Sequence, residues 1–325
     1  MPRLLRTYLV AGACLAGCHE SATLGAADAG VDAPLAPDAA PTCGRRVGMR
    51  GKTNRTIQAA GLDRTYIVYL PAGVDPATPV PLVFVHHGYT MSAQAMYEIT
   101  NYAALADSEH VAVAFPDGQG GPDSFGAPWN VGTNVCPASG GGTPPNATGD
   151  DFAMLDAIKA DISLDQCLDD AHVFVTGFSM GGYFSHHAGC MRDDIRAVAP
   201  HSGGTHSLAT CTTQHKPIII FHGAADTIVP IGCDDPAALQ PLGVTASATA
   251  WAAKNGCATT TSPRLVQGGT CLYYDACPAD GQVALCTFPG MAHCWAGGSS
   301  ASVFACPSYA DATALEWSFF KQYAW

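Results

Sequence analysis

The chain has 325 residues, 48% of them hydrophobic, which is enough for one large core. A net charge of −12 excludes the basic footprint that nucleic-acid phosphates require. Only 13% of residues are charged while Gly (35) and Pro (23) abound, so long loops and an uncharged polar surface are expected.

Residues 1–18 read as a targeting segment. Arg3 and Arg6 precede a brief apolar run, too short to span a bilayer comfortably, that ends in Leu15-Ala16-Gly17-Cys18. That tetrapeptide resembles the lipobox of bacterial lipoproteins, which makes Cys18 the expected lipidation site; the bland alternative is an ordinary signal peptide with Cys18 incidental. Residues 19–42 are rich in Ala, Asp, Gly and Pro and can bury little, so they read as a flexible tether. The folded domain is expected over residues 43–325. Without Cys14 and Cys18 the chain keeps twelve cysteines, an even number that suits an exported protein and allows six bridges of undetermined connectivity.

Within that domain, strands are expected at Tyr66 to Leu70, Pro81 to His86 and Val111 to Phe115. A helix is expected between the last two, from Ala93 to Asp107. A long Gly/Pro/Asn-rich loop containing Cys136 follows. Asp150 to Asp165 reads as a helix capped by Asp150 or Asp151. Strands at Val173 to Thr176, Ala197 to Ala199, Pro217 to Phe221 and Val283 to Phe288 alternate with helices at Gly181 to Met191, Ala246 to Asn255 and Tyr309 to Tyr323. Such alternation specifies an α/β fold with a mostly parallel sheet covered on both faces. In such sheets, function gathers at the carboxyl ends of the strands.

Gly177-Phe178-Ser179-Met180-Gly181 is a G-x-S-x-G, a cheap pattern in a Gly-rich chain. Its setting is more specific: an apolar strand runs into it and a helix leaves it, as in a nucleophile elbow. A Gly-rich strand end is the bland alternative. A serine hydroxyl needs a base to take its proton and a carboxylate to orient that base, here expected downstream in the order Ser, acid, His. Asp226, on the loop after the PIIIF strand, is the preferred acid over Asp234 and Asp235. His293, after the Val283 to Phe288 strand, is the preferred base, because His186, His187, His201, His206 and His215 all precede Asp226. Oxyanion donors are expected from the backbone N–H groups of Met180 and Tyr89. His86-His87 points to opposite faces of a strand and has no carboxylate cluster nearby, so no metal and no cofactor are expected.

The set PLVFVHHG, FPDG, PWN, GDDFAMLDAI, VTGFSMGG, AVAPHSGG, HGAADTIVP, NGC and GMAHCW resembles secreted esterases of the polyhydroxybutyrate depolymerase and feruloyl esterase family, over roughly residues 43–325. The resemblance implies an α/β-hydrolase fold and a Ser179–His293–Asp226 triad. It places Asp151 as a structural group behind the elbow, and Trp129, Trp295 and Tyr89 around the substrate cleft. The targeting segment and the cysteine count point to an extracytoplasmic protein, secreted or lipid-anchored to the cell envelope. It is expected to be a monomer whose partner is an ester substrate on a polysaccharide or polyester. Feruloyl esters of plant cell wall come first, polyhydroxybutyrate or acetylated xylan second. A catalytically inactive polysaccharide-binding lipoprotein is the reading from another class. Common members carry Ser or Thr where this chain has Cys294; a disulfide there would pin the His293 loop, and a buried thiol is the alternative.

Overall fold

The structure, a computed structural model, describes residues 43, 46, 48–121, 126–132, 146–205, 207–232, 243–299 and 302–324. The targeting segment, Cys18, the tether, Cys136, His206, Asp234 and Asp235 lie outside these residues. In chain order the strands are β1 (Gly51–Ala59), β2 (Leu62–Leu70), β3 (Val80–His86), β4 (Ala112–Pro116), β5 (Leu168–Phe178), β6 (Ala197–His201), β7 (Ile218–Gly223), β8 (Thr261–Val266), β9 (Gly269–Tyr274), β10 (Val283–Phe288), β11 (Trp295–Ala296) and β12 (Ala305–Cys306). The α-helices are α1 (Ala93–Ile99), α2 (Tyr102–Glu109), α3 (Asp151–Ile162), α4 (Met180–Met191), α5 (Val244–Asn255) and α6 (Ala312–Phe320).

Ten strands form one sheet in the order β1-β2-β4-β3-β5-β6-β7-β10-β9-β8. The six from β4 to β10 run parallel, and antiparallel pairs extend both edges. Alternate side chains of each central strand feed two separate cores, as the two-residue period of a strand requires. On β3, Leu82 and Phe84 join a core closed by α3, α4 and α5. Val83 and Val85 join the opposite core, closed by α1, α2 and α6.

The expected helix over residues 93–107 is two helices. Thr100 breaks it by turning extended, and its hydroxyl donates to the Met96 carbonyl at 2.7 Å. Strand β5 begins five residues earlier than expected. Five strands have no counterpart in the sequence reading. Strand β1 alternates half-buried and exposed along a polar sheet edge, which masks its apolar period. The β8–β9 hairpin turns at Gln267-Gly268, with Gly268 at φ +76°. Strands β11 and β12 form a two-residue parallel pair.

Among the described residues five disulfides join Cys43–Cys167, Cys190–Cys211, Cys257–Cys277, Cys271–Cys286 and Cys294–Cys306. Among the described residues no helix is long and apolar enough to cross a membrane.

Candidate active site

Strand β5 ends at Phe178 and helix α4 starts at Met180, which leaves Ser179 alone in the turn. Its backbone lies at φ 57°, ψ −115°, a conformation that non-glycine residues rarely adopt and that costs roughly 1–3 kcal/mol. Gly177 and Gly181 make the turn possible. A Cβ at Gly177 would meet the Gly181 and His86 carbonyls, and one at Gly181 would strike the backbone of His86 and His87. The strand thereby lifts Ser179 to its carboxyl end, half-buried, at the N-terminus of α4. The Met180 N–H opens that helix, where backbone donors have no intrahelical acceptor. A side chain at Gly88 would lie 3.0 Å from Ser179 Cβ, so the peptide leading to Tyr89 runs beside the hydroxyl.

Asp226 and His293 come from the loops after β7 and β10, which are neighbours in the sheet. Gly223 allows the two loops to touch, since a Cβ there would meet the Met291 and Ala292 carbonyls. Ala225 N–H then donates to Met291 O at 3.0 Å. Asp226 is buried, and His293 keeps 8% exposure. His293 Nδ1 donates to Asp226 Oδ2 at 2.6 Å. The other carboxylate oxygen accepts the Ile228 and Val229 amides, both at 2.8 Å. The carboxylate therefore has its partners fixed and holds the imidazole in one tautomer, with Nε2 left as a hydrogen-bond acceptor. Among the described residues no hydrogen bond joins Ser179 Oγ to His293, a contact often long in unliganded acyl-transfer sites.

Four further histidines crowd the same end of the sheet, and all are buried. His87 Nε2 accepts the Gly118 amide at 2.8 Å, so its proton sits on Nδ1 and is given to Gly88 O, also at 2.8 Å. Burial lowers its pKa to about 4, and that of His86 to about 3. His201 Nε2 accepts the Ala296 amide at 3.1 Å, and burial takes its pKa well below 6.5. His222 Nε2 donates to Val229 O at 2.8 Å and lies 3.6 Å from Asp226 Oδ2; burial lowers its pKa against the pull of that carboxylate. These rings are neutral struts under the loops that carry Gly88, Asp226 and His293. The sequence reading missed them as supports. For His222 a signal existed: it stands four positions before Asp226 at one strand end.

The structure corrects two cleft expectations. Trp129 has no exposure; its Nε1 donates to His87 O at 2.7 Å and its ring meets His86 edge-on at 4.8 Å. Trp295 has none either, and it stacks on His201 at 4.7 Å. Both are wall-backing residues, because each ring is consumed by packing that solvent cannot enter. Tyr89 is half-buried, with its ring against Gly126. Asp151 is buried at the start of α3, where Arg64 Nη2 donates to it at 2.7 Å and the Asn130 amide at 2.6 Å. Among the described residues no group of three His, Cys, Asp or Glu side chains could hold a metal ion.

A ten-stranded mixed sheet with helices on both faces, and a serine elbow at its carboxyl edge, defines the α/β-hydrolase class. Within that class the chain belongs to the Esterase family, whose model matches residues 57–258. Feruloyl esterase B of Piromyces equi is 28% identical over 277 residues, covering 80% of this chain and 45% of that protein. Feruloyl esterase C of Emericella nidulans is 30% identical over 201 residues, covering 59% and 63%. The chain thus spans less than two thirds of the length of these relatives. An acetyl xylan esterase from Aspergillus awamori superposes with a TM-score of 0.55 at 14% identity, covering 83% of this chain and 99% of its own, which shows the shared fold.

Proposed function

We propose that the domain over residues 43–325 is a serine esterase that works through an acyl-enzyme. The 2.6 Å bond between His293 Nδ1 and Asp226 carries the reading, because it orients a base at the strand end where Ser179 stands in its strained turn. His293 takes the Ser179 proton as Oγ attacks the ester carbonyl. Asp226 steadies the imidazolium, and the Met180 and Tyr89 amides receive the oxyanion. His293 returns the proton to the leaving alkoxide, and water then releases the acid by the same route. Ser179→Ala is expected to abolish hydrolysis of 4-nitrophenyl acetate in a protein with unchanged circular dichroism; full activity in that variant would sink the assignment.

Feruloyl esters of plant cell-wall polysaccharide are the proposed substrates, supported by the feruloyl esterases among the relatives. Acetylated xylan is the second reading, favoured by similarity to a bifunctional acetylxylan esterase/xylanase of Neocallimastix patriciarum, 29% identical over 171 residues and covering 52% of this chain. Product release from methyl ferulate, acetylated xylan and amorphous polyhydroxybutyrate, measured side by side, ranks the three acyl classes. Failure on all of them revives the binding-protein alternative.

Export is part of the same proposal, with lipidation at Cys18 and a tether over residues 19–42. Five disulfides support an oxidising compartment. Metabolic labelling with a palmitate analogue is expected to mark the protein and to be lost in Cys18→Ala.

A further inference from the structure

After His293 the chain makes a small clip against the core. Cys294 bonds Cys306, and β11 pairs with β12. Trp295 N–H donates to Phe304 O at 2.7 Å. Ser302 turns the tip: its Oγ accepts the Phe304 amide at 3.2 Å, and its carbonyl accepts the Ala305 amide at 3.1 Å. The tip is thus bonded in place, yet Val303 stands 85% exposed on it. Phe304, half-buried, sets its ring edge-on to His293 at 6.5 Å and against Phe178 at 6.0 Å. Phe178 in turn lies 4.7 Å from His293 and directly precedes Ser179. The clip thus sets a half-buried aromatic ring beside the base, with an exposed apolar neighbour next to it.

The direction of proton transfer says which part of a substrate comes there. His293 must return its proton to the leaving alkoxide, so the alcohol half of the ester has to lie on the His293 side of Ser179. The acyl half lies beyond Ser179, on the side of the oxyanion donors. Resting on the proposed Ser179–His293 chemistry, we infer that Phe304 and Val303 form the alcohol-side subsite. Its ligand is the face of a carbohydrate ring that carries the ester, received by an aromatic ring and an apolar neighbour. The clip keeps this surface at a fixed distance from the base.

The test compares esters that share an acyl group and differ in the alcohol. For the oxidised full-length protein, kcat/KM is measured on methyl ferulate and on a feruloylated arabinose, and likewise on methyl acetate and acetylated xylose. Phe304→Ala is expected to lower the sugar-to-methyl ratio about five- to tenfold in whichever acyl series the parent protein cleaves, and Phe304→Tyr to restore it. A merely structural role would reduce both esters together and leave the ratio unchanged, and that result overturns the subsite. Covalent labelling of the parent by a fluorophosphonate separates the two failures. A labelled Ser179 with an unchanged ratio rejects the subsite alone, whereas no labelling rejects the chemistry and the subsite with it.

Discussion

Glu316 sits on α6 with no exposure, and Tyr102 Oη donates to its carboxyl at 2.6 Å. Burial pushes its pKa well above the ordinary 4.5. Where the unfolded chain has lost this proton the native protein still holds it, so the group makes stability fall as pH rises above 4.5. Glu316→Gln cannot titrate. Its unfolding free energy relative to the parent is expected to climb between pH 5 and pH 8, by at most ~1.4 kcal/mol per pH unit. Urea denaturation across that range checks it, and parallel profiles would contradict it. At Asp226 the expectation concerns rate. Asp226→Asn keeps the volume but loses the charge that orients His293, so kcat on an aryl ester is expected to fall about 10³- to 10⁴-fold. Steady-state kinetics decide this, and a loss under tenfold would remove Asp226 from its role. Single residues differ in how far the sequence reveals them. Ser179, Asp226 and His293 follow strand ends in a fixed order, so the pattern nominates them. Trp129 and Trp295 misled, because a tryptophan in a motif looks the same in the wall as on the cleft. Phe304 left no signal, since its place depends on which cysteine pairs with Cys294.

Elements were legible where they are apolar on both faces. Strands β3, β4, β7 and β10 stand close to their expected bounds because continuous hydrophobic runs mark buried parallel strands. The edges were not, as β1 and the β8–β9 hairpin bury one face or less and read as polar chain. Strand β2 and helix α3 meet through Arg64 and Asp151, an ion pair with each side chain 2% exposed. Burial raises the Asp151 pKa while Arg64 opposes that, so the carboxylate depends on its partner. Removing only the arginine leaves a buried charge unpaired. Arg64→Ala is therefore expected to cost about 3–5 kcal/mol in chemical denaturation, against much less for the double replacement Arg64→Met with Asp151→Leu. An equal cost for both proteins would mean that the pair acts through volume alone.

At the scale of the whole molecule, the closing helix and the disulfides tie distant parts of the chain to the sheet. Cys43–Cys167 spans 124 residues and fastens the start of the described domain to the entry of β5. By loop-closure entropy, replacing both cysteines with alanine is expected to cost about 4–5 kcal/mol, the largest effect of any bridge among the described residues. Thermal unfolding of the five paired-cysteine variants ranks them, and a smaller loss than for Cys271–Cys286, which closes only 15 residues, would contradict the expectation.

The clip after His293 also has a meaning in time. A ribosome delivers the nucleophile at position 179 first, the acid at 226 next and the base at 293 last. The loop bearing that base already touches the acid loop through Met291, but its covalent anchor waits until residue 306 has emerged and found its sulfur partner. The last fastening of the site is therefore an oxidation, made after every other part of the proposed triad has left the ribosome.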